Sequence, residues 1–588
     1  MKWKKSAAIG CALIMAVECA FVFTPVATVK AAGKDAGSSW IESDIKGNVT
    51  TDTVVSHKDD FSAAVNKEWL STTVIPEGYS SYDAFSEADD VMRERKLSLI
   101  HDSTLKSHDA SLVKTFYDLS GDWASRNEAG VSSALPYIEA VRSISTTDDL
   151  TKFLINEDEN KLGLVFSGVG TTASYSDATR YTVYIDEPVY FLNYPDDYTE
   201  MSVTGQMYYE YDQQLVSYML QRFGYSEQEA NDIFDGAIRF ESMMAPYLYT
   251  AEDQSSVDYI NKTNNVYSLQ EIGAMEGSYP IAEMLAGTGY GQSVDYMVAN
   301  PDFIRNFGKL YTNENIELIK DYLLAHEASM FSGLLDRDAY ETKTSISNSV
   351  FGGSGTISDE EYCYDIVNSY LAWPLDNLYV DTSTVNAFYN PSMNAIYFLA
   401  GQLVPPLLDD ENNYEEFLAL VGETFGHEMS HAFDTNGAQF DANGNVTNWW
   451  TDEDYSAYMA RTQKVVDYLD SITPFEDHPE LHIDGELVKT EYVADLVSLK
   501  PLIEMAKQYE KDQNKEFDWD LFFQAYSVQW RKISSEESEI SQMQSDEHPL
   551  NYLRVNAVLQ HYQEFYDTYD IQPGDGMYLA PEDRLKVW

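Results

Sequence analysis

Apolar residues recur at helical spacing from Asp60 onward. In Asp60-Phe61-x-x-x-Val65-Asn66-x-x-Trp69-Leu70 the steps of three and four predict a helix, closed by the stop at Ile75-Pro76. Between about residue 80 and 375 the amphipathic helix is the dominant pattern. Leu215, Tyr218, Met219 and Arg222 fall on one face, with Gly224 as a C-cap, and Ile316, Ile319 and Leu323 share a face before Gly333. Tyr181 to Leu192 breaks the helical period with β-branched and aromatic residues, which predicts strands or a hairpin. From about residue 380 the character changes. Val385 to Tyr389 and Ala395 to Leu399 are short strand-like runs separated by Asn390-Pro391-Ser392. Asp441-Ala442-Asn443-Gly444-Asn445 reads as a turn, because its glycine is misplaced for a calcium loop. The pattern contains neither an internal repeat nor a low-complexity tract.

The first residues follow different rules. Met1-Lys2-Trp3-Lys4-Lys5 is basic, Ala7 to Val26 is mostly apolar, and Val29-Lys30-Ala31 has the small or aliphatic residues of a cleavage site. Residues 1–31 are therefore expected to be a signal peptide, with Pro25 and the Val-x-Ala site favouring cleavage over retention as an anchor. Residues 32–58, rich in Ser, Thr, Asp and Gly, read as an extended leader. Two of the three cysteines, Cys11 and Cys19, lie in the signal, so the mature chain keeps only Cys363 and forms no internal disulfide. An exported protein without disulfides fits a bacterium with a single membrane, secreted or held at the cell surface.

The formal charge of −59 repels nucleic acid and excludes it as a partner. The 43 Tyr and 26 Phe argue against disorder, because charge-driven unfolding accompanies low hydrophobicity. A chain of 588 residues exceeds one hydrophobic core, so at least two lobes are expected.

The chemistry concentrates at Gly426-His427-Glu428-Met429-Ser430-His431. Two imidazoles four residues apart share one helix face and can reach one Zn²⁺, while Glu428 stands beside the metal to take a proton from water. An isolated pattern of this kind can also be a polar helix turn, so a third ligand is the test. The continuation His-x-x-Gly-x-x-His is excluded, because its Gly and His positions hold Asp434 and Gly437. His478 and His482 are candidates in a Pro- and acid-rich loop that lacks helical support. Glu491 fits better: Thr490 to Leu496 begins a helix in which Glu491 and Asp495 share a face, so one carboxylate can ligate while the other accepts a ligating histidine's second ring N–H.

Further segments join this motif. They are Val385-Asn386-Ala387-Phe388-Tyr389, Asn394 to Gly401 with Pro405-Pro406, Gly426 to Asp434, and Trp449-Trp450-Thr451. Later come Glu491 to Asp495, Asp546-Glu547-His548-Pro549 with Arg554-Val555-Asn556, and Val587-Trp588. On these, and on Asp60 to Pro76, the chain resembles the neprilysin-type zinc metallopeptidases, which include endothelin-converting enzymes and bacterial oligopeptidases. The likeness is dense over the last two hundred residues, and the helical middle agrees only in length and character.

The resemblance implies a mainly α fold with a smaller β component (α+β) in two lobes. A thermolysin-like catalytic lobe at 376–588 would be capped by a mainly helical lobe at 81–375 around a central chamber, with 59–80 as an entry segment on the catalytic lobe. It implies one Zn²⁺ per chain on His427, His431 and Glu491, Glu428 as general base and Asp495 behind a ligand. His548 would stabilise the oxyanion, Arg554 would grip a substrate carbonyl, and Asn386 with the Ala387 carbonyl would hold the peptide backbone. The expected activity is secreted zinc-dependent endopeptidase action on oligopeptides, without stable membrane insertion after signal cleavage.

The chain also departs from the family. Thr490 replaces a usual Gly, with a tighter turn expected, and Arg531 and Leu585 stand where animal relatives carry cysteines. Gln402, Leu407, Glu423, Thr424 and Trp530 are read as walls of the pocket for the side chain after the cleaved bond. The polar Gln402, Glu423 and Thr424 predict acceptance of basic or small residues there. The competing function is a catalytically silent exported peptide-binding or adhesion protein on the same fold. Retention of both histidines, both acidic partners, His548 and Arg554 favours the enzyme.

Overall fold

Asp60 starts the first helix. Its carboxylate accepts the Ala63 N–H at 3.0 Å as N-cap of Phe61–Thr72, and the same oxygen accepts from Asn556 Nδ2 at 2.7 Å. Phe61 and Leu70 are buried on the inner face, as the apolar period predicts. The computed structural model describes residues 40–587 apart from 257, 294, 372–373, 376–377, 380, 410 and 476–477. The expected signal segment, the start of the leader and Trp588 lie outside the described residues. The fold is mainly helical with few strands, and the described chain divides into two units.

One unit comprises Lys106–Val350 and Gly355–Asp381. Its core is built by the helices Val203–Arg222, Glu227–Met244 and Ile316–Phe331, which bury Leu215, Met219, Phe240, Ile319 and Leu323. Tyr218, expected on the same face, packs partly buried against this core with its hydroxyl donating to Asp338, and Arg222 pairs with the buried Asp336. Gly224 follows the first of these helices at φ +97°, a conformation that suits glycine. Asp177–Ile185 pairs antiparallel with Val169–Ser174 and parallel with Tyr296–Val298, which in turn pairs antiparallel with Asn265–Tyr267. The predicted hairpin at 181–192 thus lies earlier in the chain. Its partner strand is upstream, and Pro188, with no N–H to donate, stands just beyond the strand end.

The other unit contains the described residues up to Leu105, Phe351–Ser354 and the chain from Thr382. The expected lobe boundary at residue 81 therefore does not hold for 81–105. Ser81–Asp83 pairs antiparallel with Lys532–Ser534, and Ala84, Ala88 and Met92 of the helix Ala84–His101 pack with Val404 and Leu407. Residues 40–58, predicted as an extended leader, hold no long element but are tied down. The Ser534 N–H donates to Asp44 O at 2.7 Å and the Lys46 N–H to Ser534 O at 2.9 Å. The helix Gly485–Gln513 runs for 29 residues through this unit and buries Tyr492, Val493, Leu499 and Ile503. Its start is set by Asp484, whose carboxylate accepts the Glu486 and Leu487 N–H groups. Glu491 is therefore in the second turn, not at the helix start, and Thr490 forms no tight turn. The Thr490 hydroxyl lies 3.2 Å from that of Thr435.

The helix Glu423–Ser430 packs against Gly485–Gln513 at Gly426, where a Cβ would come within 3.2 Å of the Ser498 carbonyl oxygen. A glycine before the motif histidine lets the two backbones approach. The motif helix is preceded by a π-helical turn at Leu418–Gly422. The two strand-like runs form an antiparallel hairpin, Ala387–Asn390 with Ala395–Phe398, with Ala387 opposite Phe398.

Candidate metal centre

The sequence spacing brings His427 and His431 together as expected of helical neighbours, with Nε2 atoms 3.1 Å apart. Each ring's other nitrogen faces a carboxylate. His427 Nδ1 lies 2.8 Å from Asp495 Oδ1, and His431 Nδ1 lies 2.7 Å from Asp434 Oδ2. An ionised carboxylate only accepts, so Nδ1 carries the proton in both rings and each Nε2 presents a lone pair. Glu491 comes from the neighbouring helix, with Oε2 3.1 Å from His427 Nε2 and Oε1 3.5 Å from His431 Nε2. Two lone pairs and a carboxylate facing one point repel each other unless positive charge sits among them. These separations approach the ~3.3 Å between donors of a tetrahedral site with metal bonds of about 2.0–2.1 Å.

Two further observations fit a cation there. Glu491 Oε2 is buried and accepts no hydrogen bond from the protein. Burial lowers the pKa of both imidazoles, yet Asp495 and Glu491 hold His427 well above the usual range, and Glu491 and Asp434 raise His431. Burial favours the neutral form of Glu491, but His431, His548 and His427 keep it well below the usual carboxylate range. The pocket attracts positive charge, as a proton or as a metal. The ligand atoms of His427, His431 and Glu491 all lie within 4.8 Å of one another, and so do those of a second group, Glu423, His427 and Asp495. The second group is already satisfied. Asp495 accepts from Arg554 Nε at 2.8 Å and Nη2 at 2.6 Å, and Glu423 accepts from Ser498 Oγ at 3.0 Å and Gln529 Nε2 at 2.8 Å. The first group is the one with donors to spare. By donor type, two imidazoles and one carboxylate suit zinc.

The remaining expected residues surround these. Glu428 lies in the buried motif helix beside both histidines, and burial raises its pKa. His548 reaches within 3.3 Å of Glu491 Oε2, and its Nδ1 lies 2.8 Å from Asp546 Oδ1. Burial opposes its charge, but Glu491 and Asp546 raise its pKa to about 9. Arg554 is clamped by Asp495 with its guanidinium 3.6 Å from the Trp530 ring centre, so it forms a chain from Trp530 through Asp495 to His427. Asn386 is exposed, and its Oδ1 accepts the Ala387 N–H at 2.8 Å.

All of them line one cavity of about 670 Å³, except Asp495, which lies behind the wall. Gln402, Glu423, Thr424 and Trp530 are also wall residues. Leu407 is not: it is packed in the small core with Ala84, Ala88 and Met92, where its apolar side chain is shielded from the cavity. His478 and His482 lie apart, beside Glu480 and Thr473 respectively.

Three residues without an assigned role in the sequence belong to the site. Asp434 orients His431, and its position one helical turn after the histidine was the signal for it. Asp546 orients His548 from two residues away. Gln529 covers Glu423 from 106 residues away, and no local pattern announces it. Asp434 also accepts the Asn436 and Gly437 N–H groups at 2.7 Å, so one carboxylate shapes the turn after the motif and aims the ring. A Cβ at Gly437 would lie 1.8 Å from the His431 carbonyl oxygen. Gly437→Ala is therefore expected to cost about 1–3 kcal/mol of stability and to lower metal occupancy, read by thermal denaturation and metal content.

Comparison with known proteins decides what this arrangement belongs to. Family models described as Peptidase family M13 match residues 386–585 and, for the N-terminal part, 57–415. The chain belongs to peptidase family M13. This M13 protein is a neprilysin-type metalloendopeptidase. It is 24% identical to the neutral endopeptidase of Lactococcus lactis subsp. cremoris over 655 residues, covering 90% of this chain and 99% of that one. The neutral endopeptidase of Lactobacillus helveticus is 36% identical over 203 residues, 34% of this chain and 30% of that one. Among solved structures, PepO from Lactobacillus rhamnosis superposes with a TM-score of 0.79 at 20% identity, covering 91% of this chain and all of that one. The Mycobacterium tuberculosis zinc metalloprotease Zmp1 with inhibitor gives a TM-score of 0.79 at 19% identity, covering 93% of this chain and all of the other. Among the described residues of this M13 enzyme, no helix is long and apolar enough to cross a membrane.

Proposed function

We propose that this enzyme is a secreted zinc-dependent endopeptidase that cleaves oligopeptides, with one zinc per chain held by His427 Nε2, His431 Nε2 and Glu491. The observation that carries the reading is the convergence of these three donors, each histidine already aimed by a carboxylate and one Glu491 oxygen left without a hydrogen bond. A zinc ion bound there supplies a Lewis acid that acidifies water and polarises a carbonyl. Glu428 accepts the proton of the attacking water and passes it to the leaving amine, a role suited to a carboxylate whose pKa is raised by burial. His548, kept protonated by Glu491 and Asp546, donates to the oxyanion that develops on the scissile carbonyl.

Arg554, expected to grip a substrate carbonyl, lines the cavity and has a second part in the site. With two of its nitrogens on Asp495, it holds the carboxylate that orients His427. The strand Ala387–Asn390 pairs on one side with Ala395–Phe398, and Asn386, Ala387 and Phe388 line the cavity, so an extended peptide can lie along this strand. Gln402, Thr424 and Trp530 form the wall that meets the residue after the cleaved bond, and Trp530 packs with Phe85 at 5.5 Å. Export follows from the basic and apolar first residues.

Chelation tests the reading. A chelator is expected to abolish cleavage of a mixed peptide library, and one equivalent of zinc to restore it with the same cut sites. Cleavage that survives complete metal removal would refute it.

A further inference from the structure

Among the described residues of the cavity wall, two carboxylates, Glu428 and Glu547, make no hydrogen bond or ion pair with the protein, and the other charged groups have partners. Lys532, a buried cation in the wall, has its Nζ 2.5 Å from Glu539 Oε1 and also meets Gln542. Arg554 is neutralised by Asp495, His548 faces Asp546, and His431 faces Asp434. Asp83 caps a helix by accepting the Ser86 N–H at 2.6 Å, and sits opposite Lys532 across the two-stranded sheet. Glu423 is completely buried, and its two oxygens are taken by Ser498 and Gln529, so it has little left to offer a substrate. The basic-residue preference expected from Glu423 therefore loses its physical basis.

Glu428 is the base of the proposed reaction, which leaves Glu547 as the carboxylate without a role. It is half-buried in the cavity wall, next to His548, and among the described residues its carboxylate makes neither a hydrogen bond nor an ion pair within the protein. Water lost from an unpaired carboxylate when a peptide fills the cavity has to be replaced, and a ligand cation replaces it with an attractive partner. The net charge of −59 acts in the same direction on approach.

We propose that Glu547 is a specificity-determining residue that binds a cationic group of the peptide, an ammonium or guanidinium, beside the scissile bond. This rests on the peptidase reading of the cavity. The group is either a Lys or Arg side chain or the free N-terminus of a short substrate, two sources with one chemistry.

The test is hydrolysis of matched peptides that carry Lys, norleucine or Glu at one position in turn, with free or acetylated N-termini. Zinc content is measured alongside. Wild-type kcat/KM is expected to favour Lys over norleucine at one position by about ten-fold, a preference that weakens with salt. Glu547→Gln brings that ratio close to one. Glu547→Lys, with zinc retained, turns the preference toward Glu, a gain that mere loss of packing does not produce. If acetylation rather than the Lys position removes the preference, the bound group is the terminal ammonium. A Lys-to-norleucine ratio and an acetylation effect that are both unchanged in Glu547→Gln would overturn the proposal, as would a wild type indifferent to charge at every position and at the N-terminus. Failure of the peptidase reading shows separately, as wild type that cleaves no member of the set.

Discussion

Glu428→Gln is expected to lower kcat by about 10²–10⁴-fold while zinc content and stability stay close to wild type. The amide keeps the shape of the side chain but cannot accept a proton as the carboxylate does. Glu428 is not among the three converging donors, so metal binding does not depend on it. It is 6% exposed in a motif helix whose backbone hydrogen bonds do not involve its side chain. The variant therefore separates proton transfer from metal binding and from folding. The checks are metal content by mass spectrometry, peptide cleavage under saturating substrate and the thermal midpoint. Full cleavage by a zinc-loaded Glu428→Gln enzyme would remove Glu428 from the mechanism. It would also revive the alternative of a fold that binds peptides and leaves their turnover to a contaminant.

The second large effect is expected at Asp495. This residue is fully buried and serves two cations, with Oδ1 2.8 Å from His427 Nδ1 and both oxygens accepting from Arg554. Asp495→Ala leaves a buried guanidinium without a counter-charge, which costs about 3–5 kcal/mol. It also frees the His427 ring to choose the wrong tautomer, and loss of such an orienting partner weakens metal binding by about 10–100-fold. Both losses are measurable, by denaturant unfolding with chelator present and by zinc competition with an indicator. Asp434→Ala is the matched comparison, since Asp434 aims His431 but carries no arginine. It is expected to weaken zinc binding with a smaller loss of stability. Equal stability losses in the two variants would contradict the account of Arg554 as a buried partner of Asp495.

What could be read in advance depended on whether the cause was local. The first helix begins at Asp60 and the Asp441 loop is a turn, with Asp441 accepting the Asn443 and Asn445 N–H groups, because these contacts span five residues or fewer. The i, i+4 histidines face one point for the same reason. The hairpin after residue 385 was legible from its two strand-like runs: the second strand begins at Ala395 as the pattern has it, and the other strand ends differ by a residue or two. The start of the Gly485–Gln513 helix was misplaced because Asp484, six residues before Thr490, caps it outside the apolar run.

Contacts between distant segments were another matter. The pairing of Ser81–Asp83 with Lys532–Ser534 joins strands hundreds of residues apart, and it moves residues 81–105 into the unit that carries the site. Leu407 reads like a pocket wall until its neighbours Ala84 and Met92 enclose it. Glu423 reads like a polar specificity residue until Ser498 and Gln529 cover it, 75 and 106 residues further on.

By itself, then, the amino-acid order determined which side chains share a helix face and which chemistry they carry, since backbone periodicity sets both. Only the tertiary structure decided which charges find partners. Arg554 is spent on Asp495, Lys532 on Glu539 and Glu423 on its two donors, while Glu547 is left facing the cavity. The field at any point depends on charges brought together from distant parts of the chain, and sequence separation carries no record of that distance.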